Sequence, residues 1–513
     1  MKRTILLSAL LFGSQAFAGE FLVKYTNTNG LNFINNLGVE KSIGMQVMDH
    51  NPTASLVKVD IAKSKEAQTL AELLATPGIE YVVPNFKLKA FSAPVNAAAL
   101  RDQWAINKVQ AEKAWKRAGN RGNKNVIVAV IDTGVDYKHE SLAPNMLQGY
   151  NFKDKNNDPM DKTSFQNPGH GTHCAGVVGA TGLIDGGTIG MAPGISIMPL
   201  RFLDEKGSGD LNDGIKAIDY AIEKGVHVIS ASWGASVPRS TAQPLLEAIK
   251  RADDKGIIFV SAAANDGKNN DSTEVYPANN GYPNSITVAA SGPSDAKPSW
   301  SNYGTAMVHL ASPGEGIVST LPKNKYGDLS GTSMATPLVA GLVAFLKSQD
   351  SSLTGSQIRA ILQTTGAKVS IQTACNCRID AFNAVDAVLS KKMFVVPAAG
   401  TLSPQGTLNL SVLNGKAPFK YASSNSSTAT VSDAGVVTAV GNGKTSITVT
   451  DADGKTASTL DINVGKSQSP PGNDPGNPGQ PGQPPGDGSC PIGDASLCQI
   501  ICQIKPDLPF CKQ

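Results

Sequence analysis

Three side chains in this sequence stand in settings that equip them for nucleophilic chemistry. Ser333 lies in the run GTSMATP, residues 331–337, a glycine-led turn opening onto the apolar stretch 338–346, which reads as a buried helix. A serine hydroxyl at such a helix start is a weak nucleophile until a base takes its proton and fixed dipoles hold the oxyanion it generates. His170, between Gly169 and Gly171, is the candidate base, and Asp132 is the carboxylate that would hold the imidazole tautomer and stabilise the imidazolium. The chemistry is acyl transfer through a serine ester.

These groups need elements to carry them together. Residues 126–131, VIVAVI, are continuously apolar, as a strand buried on both faces must be, so Asp132 falls at a strand's carboxyl end, where open α/β sheets gather reactive groups. The glycines around His170 allow close backbone approach, and the small apolar residues after it start a packed helix. Between and beyond them, 195–203, 226–230 and 257–262 read as strands, and Leu211, Ile215, Ile218 and Ile222 recur at helical spacing. Alternating strands and helices predict an α/β fold: a parallel sheet between two helical layers, with right-handed crossovers.

The motifs VIDTGVD, HGTHCAG and GTSMATP, in the order Asp, His, Ser, resemble those of the subtilisin-like serine proteases, the subtilases. The resemblance spans about residues 100–390 and implies a three-layer αβα catalytic domain. It places Asn265, in VSAAAND, in the oxyanion hole beside the Ser333 N–H. It also makes Ser232, Trp233, Gly234, Ala262, Ala263 and Ala264 the walls of the pocket for the residue before the scissile bond. That lining is apolar and lacks an acidic cluster, so large apolar or aromatic side chains are expected at the cleaved position. Glu274 lies close to another pocket segment, Val275-Tyr276-Pro277.

The remaining histidines carry weaker settings. His173 shares the His170 motif but would project from the other side of the helix, toward a structural hydrogen bond; His139, His227 and His309 read as structural or solvated. Cys174, one helical turn from His170, is similar to the free thiol of the proteinase K and thermitase branches of the family. Its expected role is packing.

No cofactor is implied for catalysis. Two readings stand for Asp154, Asp158 and Asp161 in DKNNDPMD: a structural calcium site, since they offer hard oxygen ligands in a loop and resemble a calcium loop that some subtilases carry, or a solvated acidic loop. The family's commonest ligating aspartate, in a His-Pro-Asp-Leu run, is absent: this chain reads HESL at 139–142.

The ends add modules. Lys2 and Arg3, the apolar run 5–12 and Ala16-Phe17-Ala18 form a secretory signal over 1–18, and no other stretch is apolar enough to span a membrane. Residues 19–98 carry strand patterns at 21–25, 55–59 and 79–83 and a helical stripe at Leu70, Leu73 and Leu74, similar to the small α+β inhibitory propeptide of subtilases. Its tail, 85–91, would lie extended in the active-site cleft, with self-cleavage between Phe91 and Arg101. After the catalytic domain, 99–391, short strands at 408–412, 436–440, 446–449 and 460–464 imply a β-sandwich over 392–465 that resembles bacterial Ig-like group 2 domains. Residues 466–489 are a Pro/Gly-rich linker, and 490–513 a tail whose Cys490, Cys498, Cys502 and Cys511 read as a two-disulfide knot with three open pairings.

Composition sets the outer bounds. Of 513 residues, 41% are hydrophobic and 17% charged, which is globular, and a net charge of +3 gives no case for nucleic acid. Seven cysteines suit an exported chain with disulfides and one thiol left over. Cys375 and Cys377 are one residue apart, so a direct bond between them would close a strained ring, and no partner is assignable from spacing. The expected protein is a monomeric secreted endopeptidase, extracellular, at the cell surface or in the periplasm. Its partners are protein or peptide substrates, its own propeptide, and a surface or glycan ligand for the Ig-like domain. The competing class is an adhesion protein with a relic protease core; intact Asp132, His170, Asn265 and Ser333 favour the enzyme.

Overall fold

A computed structural model describes residues 19–39, 44–91, 103–465, 492 and 494–511. The signal segment 1–18, the linker 466–489 and Cys490 lie outside the described residues. The chain divides into two compact units, Met1–Phe86 with Cys490–Gln513, and Lys87–Ser489.

In the first unit, four strands pair in the order Met45–Asn51, Leu56–Ile61, Glu20–Tyr25, Ile79–Pro84. Two helices, Thr28–Val39 and Glu66–Leu74, supply Ile34, Leu37, Leu70 and Leu73 to a core shared with Val23, Val57, Val59 and Val82. The strand Met45–Asn51 and the first helix gave no readable period: Val47 and Met48 face solvent, and the helix carries glycine and four asparagines across its turns.

The second unit is built on a nine-stranded sheet. Its order is Ala367–Lys368, Cys377–Arg378, Leu310–Pro313, Ser285–Ser291, Ile258–Ala262, Val228–Ala231, Ile127–Asp132, Ser196–Arg201, Tyr150–Asn151. The pairings are parallel except between the first two strands. Ile127–Asp132 is flanked by strands that come later on both sides, so its carboxyl end is the switch point at which such sheets leave a crevice. Two helices with every residue of their central turns buried, His170–Gly179 and Thr332–Gln349, pack on each other. Gly341 makes this approach possible: a Cβ there would lie 2.8 Å from Val178 O of the facing helix.

From Phe394 to Val464 the chain forms short strands in several small sheets, mostly antiparallel, around Val395, Leu402, Val437, Ile447, Val449 and Ile462. Cys375 bonds directly to Cys377, with Asn376 between them in the left-handed region at φ 45°. Spacing alone could not assign that pair, because it depends on a one-residue turn invisible in the sequence.

Candidate active site

Asp132 ends its strand with its carboxylate buried, and His170 opens its helix directly against it. Gly171 makes the junction possible: a Cβ there would stand 2.1 Å from Gly134 O and 3.1 Å from Asp132 Cβ. The His170 Nδ1–H donates to Asp132 Oδ1 at 2.8 Å, and the Thr133 N–H donates to the same oxygen at 2.7 Å. Burial alone would push the His170 imidazolium down, but the attraction of the Asp132 carboxylate prevails and holds its pKa well above the ordinary histidine value.

Asp161 is tied into this junction from below. Its carboxylate accepts from Thr133 Oγ1 at 2.9 Å, Thr172 Oγ1 at 2.7 Å and Thr172 N at 3.0 Å. The two hydroxyls in turn accept from the Gly171 and Asp136 N–H groups. One acid thereby links the loop after Asp132 to the helix start at His170. Burial pushes its carboxyl up to about 6 against the pull of these donors. Sequence reading placed Asp161 in a calcium loop, and the structure corrects this. Asp154 is paired with Lys162 Nζ at 2.9 Å and Arg201 Nη1 at 3.2 Å, while Asp158 accepts from Tyr137 OH and the Met160 N–H. Among the described residues these three acids form no common side-chain ligand cluster, and each is already met by cations or hydroxyls. As arranged, Asp161 is held by Thr133 and Thr172 and does not share one side-chain ligand set with Asp154 and Asp158.

Ser333 sits in the first turn of Thr332–Gln349, a helix that starts six residues before the apolar run 338–346. Pro337 lies four residues on and has no N–H to give the Ser333 carbonyl. That carbonyl is instead held by Ser232 Oγ at 2.9 Å and by the Cys174 thiol at 3.5 Å. Cys174 is free and buried, 3.9 Å from His170 Nδ1, with burial raising its thiol pKa. Its sulfur therefore touches both helix starts. His173 points the other way, its Nε2–H toward Ile317 O at 2.8 Å, and burial, then repulsion from His170, lowers its pKa to about 3.

Asn265 is aimed by its neighbours. Ala264 adopts φ 91°, a conformation that costs a side-chain-bearing residue about 1–3 kcal/mol and persists only where surroundings enforce it. Here its N–H donates to Thr332 Oγ1 and its carbonyl accepts from Asn302 N. Thr332 holds Asn265 Oδ1 through both its N–H and its hydroxyl, each at 2.9 Å, which leaves the amide Nδ2 unpartnered and buried. A Cβ placed on Gly331 would lie 2.9 Å from Phe91 O, 3.1 Å from Asn265 Nδ2 and 3.4 Å from Ser333 N. One carbonyl oxygen and two N–H donors thus converge over that glycine.

The chain itself fills the cleft. Lys87–Ala90 pairs antiparallel with Ser208–Asp210 on one side and Trp233–Gly234 on the other. The Phe91 N–H continues the ladder to Ser232 O at 3.1 Å. Ser333 Oγ–H donates to Phe91 O and to Ser232 O, while His170 Nε2 is buried with no partner. The Phe91 ring packs on Ala264, Val275 and Ala278, and a Cβ on Gly234 would come within 2.7 Å of it.

This refines the expected pocket. Gly234 and Ala264 line it, while Ser232 and Trp233 contribute backbone. The Trp233 indole is fully buried and donates to Ile131 O at 2.7 Å. Ala263 belongs to a separate cluster with Ala289, Val308 and Ala311, and Ala262 is a buried strand residue outside the Phe91 contact set. Ala278 was missed, because it opens the insertion-like run Ala278-Asn279-Asn280-Gly281 and carries no signal of its own. Glu274 accepts from Tyr276 OH and Arg239 N.

The Subtilase family model matches residues 123–443. The chain is 37% identical to the thermophilic serine proteinase of Bacillus sp. (strain AK1), over 64% of this chain and 78% of that one. It is 41% identical to thermitase of Thermoactinomyces vulgaris, over 52% and 89%. With the major intracellular serine protease of Bacillus subtilis (strain 168) the identity is 40%, over 48% and 75%. A buried acid and imidazole in contact, a serine against a peptide carbonyl, and this breadth of similarity agree: the chain belongs to the subtilase family and is a serine endopeptidase.

Proposed function

We propose that the protein is a secreted, self-processing zymogen whose first substrate is its own Phe91–Ser92 bond. The observation that carries this reading is the contact of Ser333 Oγ with the Phe91 carbonyl while the Phe91 ring fills the apolar pocket. In the reaction the Ser333 O–H turns from the carbonyls it now faces to His170 Nε2, which takes the proton as Oγ bonds to the Phe91 carbonyl carbon. Asp132 holds Nδ1–H and stabilises the imidazolium. The oxyanion is met by Asn265 Nδ2 and the Ser333 N–H. Collapse expels the Ser92 amine, protonated by His170, and water then hydrolyses the acyl-enzyme. Calcium enters no step.

The same geometry supports a preference for large apolar residues before the scissile bond, since the groups packed on Phe91 are aliphatic. Leu88, three residues earlier, is fully buried near Gly214, which supports a second apolar subsite. Residues 19–91 act as the intramolecular inhibitor, and 392–465 as an Ig-like domain toward a surface or glycan ligand. Export rests on the 1–18 signal pattern. Mass spectrometry of the purified protein tests the reading: a mature chain beginning at Ser92, absent from Ser333→Ala, is expected. Removal of the segment from Ser333→Ala without added protease would overturn it.

A further inference from the structure

The C-terminal tail folds as part of the propeptide unit. The helix Ala495–Ile504 begins at Asp494, whose carboxylate caps the Leu497 N–H at 3.0 Å, and packs on Glu66–Leu74. Ile492, Cys498, Ile501 and Leu508 are buried in one apolar cluster with Ile34, Leu37, Leu70 and Leu73, and Ile501 is fully enclosed. Cys502 bonds to Cys511, and Cys498 is also disulfide-bonded, so the segment is stapled around this face. A stretch this short cannot build a core of its own, and among the described residues its buried apolar side chains pack with Ile34, Leu37, Leu70 and Leu73 of residues 19–91.

The covalent order makes this contact consequential. The tail remains attached to the catalytic domain through 466–489, whereas the propeptide is severed at Phe91. We propose that the tail is a binding module for the enzyme's own cleaved propeptide, keeping the inhibitor tethered to the protease that released it. This rests on the self-cleavage reading above. A covalent tether of 24 residues holds a docked fragment at roughly millimolar effective concentration. Two attachments, the cleft strand and the tail, then slow escape by roughly 10²-fold relative to either alone. Activation becomes a two-cut process: after Phe91, then in the linker or the fragment itself.

The test uses the full chain. In the Ser333→Ala precursor, hydrogen exchange in Glu66–Leu74 is expected to accelerate when Ile501→Asp is added or 490–513 is deleted; unchanged protection in both would overturn the docking. In the active enzyme, the 19–91 fragment should co-elute with the mature chain. It should leave roughly 10²-fold faster from the deletion and Ile501→Asp proteins, with a matching shorter lag before peptide hydrolysis. Active-site titration normalises for folded enzyme. Equal release rates from all three would overturn the tether. A precursor that never cuts at Phe91, yet shows the exchange difference, would remove the self-cleavage reading and leave the docking standing.

Discussion

Ser333 Oγ donates to the carbonyl oxygen of Phe91, a residue 242 positions earlier in the chain. The contact matters because Asn265 Nδ2 and Ser333 N border the same space: a Cβ on Gly331 would lie 2.9 Å from Phe91 O, 3.1 Å from Asn265 Nδ2 and 3.4 Å from Ser333 N. Nucleophile, electrophile and oxyanion donors are therefore assembled before any proton moves, and the structure has the form of an enzyme loaded with its own chain.

The pocket that receives Phe91 depends on the missing side chain at Gly234. Gly234→Val would drive methyl groups into the ring position, so kcat/KM for peptides with Phe before the scissile bond should fall at least about 10–100-fold. Peptides with Ala there should lose much less. A substrate panel measured on the mature variant checks both.

Asn265→Ala removes one oxyanion donor and should lower kcat by about 10²–10³ with KM little changed. Thr332→Val removes the hydroxyl that holds Asn265 Oδ1 but keeps the N–H that does the same, so its loss should be smaller and again confined to kcat. Steady-state kinetics on one good peptide separates the two.

Self-processing should speed up as pH rises. The base must be neutral to accept the Ser333 proton, and with the cleft filled the Asp132 carboxylate holds the His170 pKa above 6.5 despite burial. The midpoint of the single-turnover rate should therefore lie above that value. Asp132→Asn removes the attraction and the tautomer control together; the midpoint should fall and the rate drop by about 10⁴. Rapid-quench electrophoresis of refolded precursor across pH measures both.

Asp161 acts as a positioning residue with its own pH signature. Its folded pKa, about 6, is raised from 3.8, so its contribution to stability is fully present below pH 3.8 and is lost as pH rises through 6. That loss amounts to about 3 kcal/mol. Asp161→Asn should not show it: the stability difference between Ser333→Ala and Ser333→Ala/Asp161→Asn should move against the aspartate between pH 4 and 7. Urea titrations at the two pH values read this directly. In active enzyme, Asp161→Ala should lower kcat more than it raises KM, because Thr133 and Thr172 lose the acceptor that holds them beside Asp132 and His170.

Much of the site was legible without coordinates because its chemistry is carried by local patterns. An apolar run ending in Asp132, glycines around His170 and a glycine-led turn at Ser333 each specify a strand end or helix start, and such short-range signals survive in sequence. What escaped was decided by contacts between distant segments. Asp154, Asp158 and Asp161 look like one ligand set because they are close in sequence, yet Arg201, Lys162, Thr133 and Thr172 claim two of them from elsewhere. Ala263 and Ala264 are adjacent and identical, but a φ of 91° at Ala264 turns one toward Phe91 while the other stays in the core.

The sequence by itself determined the kind of reaction and the α/β class, since residue type, hydrophobic period and turn chemistry are properties of short windows. Only the tertiary structure decided which peptide bond lies against Ser333, which side chains touch Phe91, and that the last helix of the chain shares a core with the first unit. Burial partners are set by how separate segments close-pack, and nothing in a local window records which distant surface will meet it.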